Sequence, residues 1–182
     1  MRAASYVARH DGRRQIILSG LTVRSYDFDT GTLLWEAAGL GENTIPQPVQ
    51  HEDLVFAMSG HTVKMMMAIR LGRKGTLTDT DALVWSTARG APYTPSPVLH
   101  DGRLYIVTDN GLVSCLDAET GEPRYQQQRL PKPYNFKASP VGANGNSTSQ
   151  PKRVMSSSCG WETASRCWRP TPWRTSPLSR PR

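Results

Sequence analysis

Short apolar runs separated by polar turns make up the first 145 residues, and their spacing is that of strands. "HEDLVFAM" at 51–58 and "HDGRLYIV" at 100–107 each pass from a polar turn into a run dominated by apolar side chains. "GRLYIV" and "LVSCLD" are short and rich in branched or aromatic residues, as strands are. "DNG" at 109–111, lying between them, is a hairpin signal. No segment of this body shows a convincing amphipathic helical period. In "KMMMAI" at 64–69, strand alternation puts Met65 and Met67 on one face and Met66 on the other. Because methionine fills irregular gaps in packed interiors, this run predicts core packing rather than a soft-metal patch. The pattern predicts an all-β fold.

The runs recur. "SYDFDTGTLLW" at 25–35 aligns without a gap on "CLDAETGEPRY" at 115–125, so that Asp27, Thr30, Gly31 and Trp35 fall on Asp117, Thr120, Gly121 and Tyr125. A second signature recurs as "PQPV" at 46–49, "PSPV" at 95–98 and "ASPV" at 138–141. Between the two clear copies lies a degenerate one, "MAIRLGRKGTLTDTDALVWS", in which Arg70 replaces the aspartate and an insertion precedes Trp85. Trp35 to Trp85 is 50 residues and Trp85 to Tyr125 is 40, about the length of one four-stranded propeller blade. In D-x-x-T-G the short Asp side chain accepts hydrogen bonds from the amides of its own turn, and Gly supplies a positive φ. The charged insertion "RLGRKGTLTDTD" reads as an exposed loop, since its glycines lack the order of a phosphate-binding loop.

These copies resemble the pyrroloquinoline quinone (PQQ)-like repeat family, which includes quinoprotein dehydrogenases and the BamB-type outer-membrane assembly lipoproteins. The family blade reads about A-x-D-x-x-T-G-x-x-x-W; Ser25 and Cys115 stand in place of Ala, and Tyr125 in place of Trp. The resemblance implies a partial β-propeller of about three four-stranded blades over residues 1–145, with the first strand of a fourth, most similar to noncatalytic bacterial members. It implies structural roles for Asp27, Gly31, Trp35, Trp85, Asp117, Gly121 and Tyr125: the aromatic docks between neighbouring blades while Asp and Gly shape the turn. It also implies an extracytoplasmic, periplasmic home. Since a ring closes with about four to eight blades, the chain is expected to be a fragment of a larger propeller, its partners the remaining blades or another protein.

Charge separates this body from the C-terminal tail. Residues 1–145 hold 15 Lys and Arg against 14 Asp and Glu, whereas residues 146–182 hold 7 against Glu162 alone, so most of the net charge of +7 belongs to the tail. That tail contains 8 Ser, 5 Pro, 3 Trp and 6 Arg, a composition that predicts a disordered basic segment. Arg with interleaved Trp also suits nucleic acid, but the repeat argues otherwise, because an aliphatic strand is due after Gly145. Regrouping the back-translated bases by one position yields "KLYLATEEGDVVVVRLGDRFEVLATN", which supplies that strand. The tail is therefore expected to be out of frame, through a one-base slip near codon 146, and nucleic-acid binding is not the favoured reading.

Little in the sequence points to catalysis. The expectation is no cofactor, no catalytic residue and no metal ligand; the alternative is a fragment of a PQQ-dependent alcohol or glucose dehydrogenase, with PQQ as cofactor. Such enzymes carry calcium-binding carboxylates, an adjacent-cysteine disulfide and often a CxxCH haem motif, and Cys115, Cys159 and Cys167 match none of these spacings. Cys115 reads as a buried small hydrophobe. His51 and His100 hold the same turn position in successive repeats, and His10 precedes a similar turn, so all three read as turn residues. No run of about 20 apolar residues is available to span a membrane, and no apolar signal-peptide segment is visible near Met1.

Overall fold

The computed structural model describes residues 4–130, 135–143, 146–149 and 157–160. The first sheet is an antiparallel meander of β1 (Ser5–His10), β2 (Arg13–Leu18), β3 (Thr22–Asp27) and β4 (Leu33–Ala38). The second contains β5 (Val49–His51), β6 (Leu54–Ser59), β7 (Met65–Arg70) and β9 (Leu83–Thr87). The third runs β10 (Val98–His100), β11 (Arg103–Val107), β12 (Leu112–Asp117) and β13 (Pro123–Arg129). A fourth comprises β14 (Val141–Ala143), β15 (Asn146–Ser149) and β16 (Ser157–Gly160). The leading strands β5 and β10, and β10 and β14, lie side by side, so each sheet starts at a common axis and works outward.

The turn residues explain why the leading hairpins are tight. Asp11 and Gly12 have φ of 48° and 73°, and Asp101 and Gly102 have 47° and 65°. Positive φ at both central positions is the two-residue turn whose twist matches that of paired strands. The first blade starts earlier than the His10 turn from which the repeat is recognisable: β1 begins at Ser5, paired with Leu18.

Stacking of the sheets creates the core. Ala8, Ile17, Val23, Trp35 and Ala37 of the first sheet meet Val55, Ala57, Met67 and Ile69 of the second. The other face of the second sheet gives Leu54, Phe56, Met58, Met66 and Ala68 to the third, which supplies Leu104, Ile106, Leu116 and Ala118. Met66 and Met67 thus serve opposite cores, as alternation requires. Because both faces of the second sheet are covered, every residue of β6 is buried.

The insertion read as an exposed loop is only partly one. Gly75–Thr76 forms β8, which pairs in parallel with Trp35 and Glu36 of β4, and Leu77 is buried beside it. The Leu77 amide donates to the Glu36 carbonyl at 2.8 Å and the Ala38 amide to Thr78 Oγ1 at 2.9 Å. The second blade thereby covers part of the outer edge of the first, and an otherwise unpaired edge gains backbone partners.

In the fourth sheet, β15 and β16 fall within the segment whose composition predicts a disordered tail. β15 pairs with β14 from Val141↔Thr148 to Ala143↔Asn146, and β16 pairs with β15. Val141 to Asn146 repeats the spacing of Val98 to Arg103, so the blade register continues into Asn146. Most of the tail, including Cys167, lies outside the described residues.

Candidate functional site

The repeat motif builds two nearly identical turns. Asp27 Oδ1 accepts from the Asp29 and Thr30 amides at 3.1 and 2.9 Å and from Thr30 Oγ1 at 3.0 Å. Asp117 Oδ1 accepts from the Glu119 and Thr120 amides, both at 3.1 Å, and from Thr120 Oγ1 at 3.2 Å. In each case the Thr backbone amide is the strongest influence holding the carboxyl below its usual range. Gly31 and Gly121 come next with φ of 69° and 73°. In the degenerate copy, Arg70 instead pairs with Asp53 at 3.2 Å.

Two of the motif aromatics, Trp35 and Trp85, sit where sheets meet. Trp35, only 1 % exposed, lies in the first core, and its Nε1 donates to Gln15 Oε1 at 3.0 Å. Trp85 leaves the second sheet to cover the turn of the third: its Nε1 donates to the Ala118 carbonyl at 3.0 Å. Its ring lies so close that a Cβ on Gly121 would stand 2.7 Å from Cδ2. Tyr125 packs on a third cluster of Val107, Val113, Leu130 and Phe136, and burial pushes its hydroxyl well above the usual phenol range. Cys115, the cross-strand partner of Tyr125 on β12, is buried too, and burial likewise raises its thiol.

Antiparallel alternation sends the β6–β7, β9–β10 and β11–β12 connections to one face of the molecule and the histidine and D-x-x-T-G turns to the other. On the first face these connections enclose a cleft of about 370 Å³ lined by His61, Lys64, Tyr93, Thr108, Asp109 and Gln127, among others. Asp109 organises it. Its Oδ2 accepts from the Tyr93 and Thr94 amides at 2.9 and 3.1 Å, and its Oδ1 meets Lys137 Nζ at 2.8 Å. Burial pushes the Asp109 carboxyl up, but the hydrogen bonds from Lys137, Thr94 and Tyr93 outweigh it and leave the group below its ordinary value. Lys137 Nζ also lies 5.5 Å from the Tyr93 ring centroid, and the His61 ring 5.2 Å from it. Close approach here demands Gly60, where a Cβ would fall 2.3 Å from Tyr93 Cα.

The seven motif residues and this cleft are therefore different places. The motif residues shape turns and, at Trp35, Trp85 and Gly121, pack one sheet on the next, whereas His61, Tyr93, Asp109 and Lys137 present cationic, aromatic and hydrogen-bonding groups at a loop face. In the sequence, "DNG" reads only as a hairpin. Its register with the repeats marks Asp109 as a turn residue but carries no sign that the carboxylate reaches Tyr93 and Lys137, which are remote in sequence.

Radially ordered, antiparallel four-stranded sheets packed face to face define a β-propeller, here three full blades and the described strands of a fourth. A family model described as outer membrane protein assembly factor BamB matches residues 19–149, and the chain belongs to that family of PQQ-like propellers. No curated protein sequence matches it. Among solved structures, BamB from Moraxella catarrhalis superposes with a TM-score of 0.67 at 16 % identity, over 90 % of this chain and 48 % of that one. The computationally designed Ika8 protein gives 0.66 at 12 % identity, over 91 % and 48 %. The designed Ika4 protein gives 0.63 at 12 %, over 85 % and 88 %. The chain thus spans about half the length of the BamB and Ika8 structures. Among the described residues, no helix is long and apolar enough to cross a membrane.

Proposed function

We propose that the chain is a noncatalytic binding module whose loop face receives a protein partner, and that it acts outside the cytoplasm in the assembly of outer-membrane proteins. The observation that supports this reading is a division of labour. Positions that recur between blades, such as Asp27 and Asp117 or Gly31 and Gly121, are used in turns and blade contacts. The side chains at the loop cleft, exposed His61 and Lys137 and half-buried Tyr93, obey no repeat. Aromatic and cationic side chains on connections held by a rigid scaffold suit recognition of a protein surface. The BamB family match supports outer-membrane protein assembly as the setting.

A photo-crosslinking residue at His61 or Lys137, expressed in the chain within its own cells, is expected to capture a component of outer-membrane protein assembly. The same probe at Glu122, an exposed residue beside the D-x-x-T-G turn on the opposite face, is expected not to. Equal capture from both positions overturns the assignment of the cleft. Uptake of PQQ in the presence of calcium, seen as quinone absorbance, overturns the noncatalytic reading in favour of a quinoprotein oxidoreductase.

A further inference from the structure

The histidine turns lie on the face opposite the loop cleft, and one of them differs from its neighbours. His10 ends β1 and reaches the second blade at Gly72, where a Cβ would fall 2.6 Å from His10 Nε2. Gly72 is two residues beyond Arg70, the position of the motif aspartate, and the matching residue of the third blade is Glu119. The next junction therefore places a carboxylate where the first has glycine. There, His51, Glu52 and Glu119 each bring a possible ligand atom within 4.8 Å of the others.

These groups border a cleft of about 250 Å³ together with Asp53 and Arg70. Arg70 is engaged by Asp53 at 3.2 Å. Among the described residues neither Glu52 nor Glu119 forms an ion pair. Two carboxylates are thus held together beside an imidazole with no cationic side chain paired to them. Like charges at this separation repel, and a dication bound between them removes the repulsion.

We propose that His51, Glu52 and Glu119 form a divalent transition-metal site, best fitted to zinc, that ties the second blade to the third. One imidazole nitrogen and two carboxylate oxygens, with water in the fourth position, are ordinary zinc ligands at about 2.0 to 2.2 Å. Calcium and magnesium prefer all-oxygen shells, so the imidazole selects against them. Glu52 and Glu119 are exposed, which leaves their side chains room to rotate onto the ion. This assignment is independent of the loop-face reading, because the two clefts share no lining residue.

The test uses the full chain with Cys159→Ser and Cys167→Ser, which removes competing thiolates. Titration with zinc chloride is expected to show one ion bound per chain and a raised melting temperature, since an ion that binds only the folded state stabilises it. His51→Gln and Glu119→Gln are each expected to weaken binding by more than about tenfold and abolish the zinc-induced rise, with metal-free melting unchanged. His100→Gln, at the same turn of the next blade, is expected to bind zinc as the parent does. Cobalt in place of zinc should give d–d absorption without a thiolate charge-transfer band. No uptake by the parent, or uptake that survives both His51→Gln and Glu119→Gln, overturns the proposal.

Discussion

Two glycines with the same backbone conformation separate the demands of a turn from those of packing. Gly31 and Gly121 have φ of 69° and 73°, yet a Cβ meets nothing within 4 Å at Gly31 and the Trp85 ring at Gly121. Gly31→Ala is expected to cost only the left-handed strain, about 1 to 2 kcal/mol, and Gly121→Ala measurably more, read as urea-melting midpoints. Equal losses would remove the packing role from Gly121. Trp35→Ala empties a fully buried site and should cost about 3 to 5 kcal/mol. Trp85→Ala, at a half-buried ring, should fall at or below the lower end of that range. Acid acts in part through Asp109. Its folded carboxyl lies below the ordinary value of 3.8, so its contribution is complete above that value and is lost as pH falls through the lower folded one. Asp109→Asn is expected to flatten the acid limb of stability against pH below about 4, and an unchanged limb would remove Asp109 from the loop's acid sensitivity. The motif itself was legible, because an aspartate that bonds its own turn obeys local rules. The reach of Asp109 to Tyr93 and Lys137 was not, because it depends on three connections converging.

At the scale of elements, β8 has the greatest consequence for the reading of the chain. Two residues carry no alternation, and "RLGRKGTLTDTD" is charged enough to read as a loop. It becomes a strand only because β4 offers an unpaired edge and Leu77 a buried seat. Leu77→Ala should lower stability by about 2 to 5 kcal/mol, whereas Thr76→Ala, on the exposed strand itself, should stay within about 0.5 kcal/mol. Chemical denaturation of the two variants compares them directly, and a neutral Leu77→Ala would return the insertion to a loop. The full burial of β6 has a similar origin. "LVFAMS" was legible as a strand, but burial on both faces comes from a blade on either side.

For the whole molecule, the stacking order leaves one apolar face open. Ile17 and Val23 point into the core shared with the second sheet, while Val7, Leu18 and Leu33 project from the opposite side of the first and remain exposed. A contiguous exposed apolar face favours association. Val7→Lys with Leu18→Lys is expected to reduce self-association in analytical ultracentrifugation without lowering the melting midpoint. Persistent association would place the sticky surface elsewhere. By itself the sequence determined the all-β class, the blade period, the turn chemistry of Asp27 and Asp117, and the membership of Met66 and Met67 in opposite faces. Each is written in spacing, which local backbone geometry translates directly. Only the tertiary structure decided that Trp85 covers a turn of the next blade, that Gly75–Thr76 closes an edge, and that His51 comes within reach of Glu119. Those contacts join residues tens of positions apart, and they exist only once neighbouring blades are stacked.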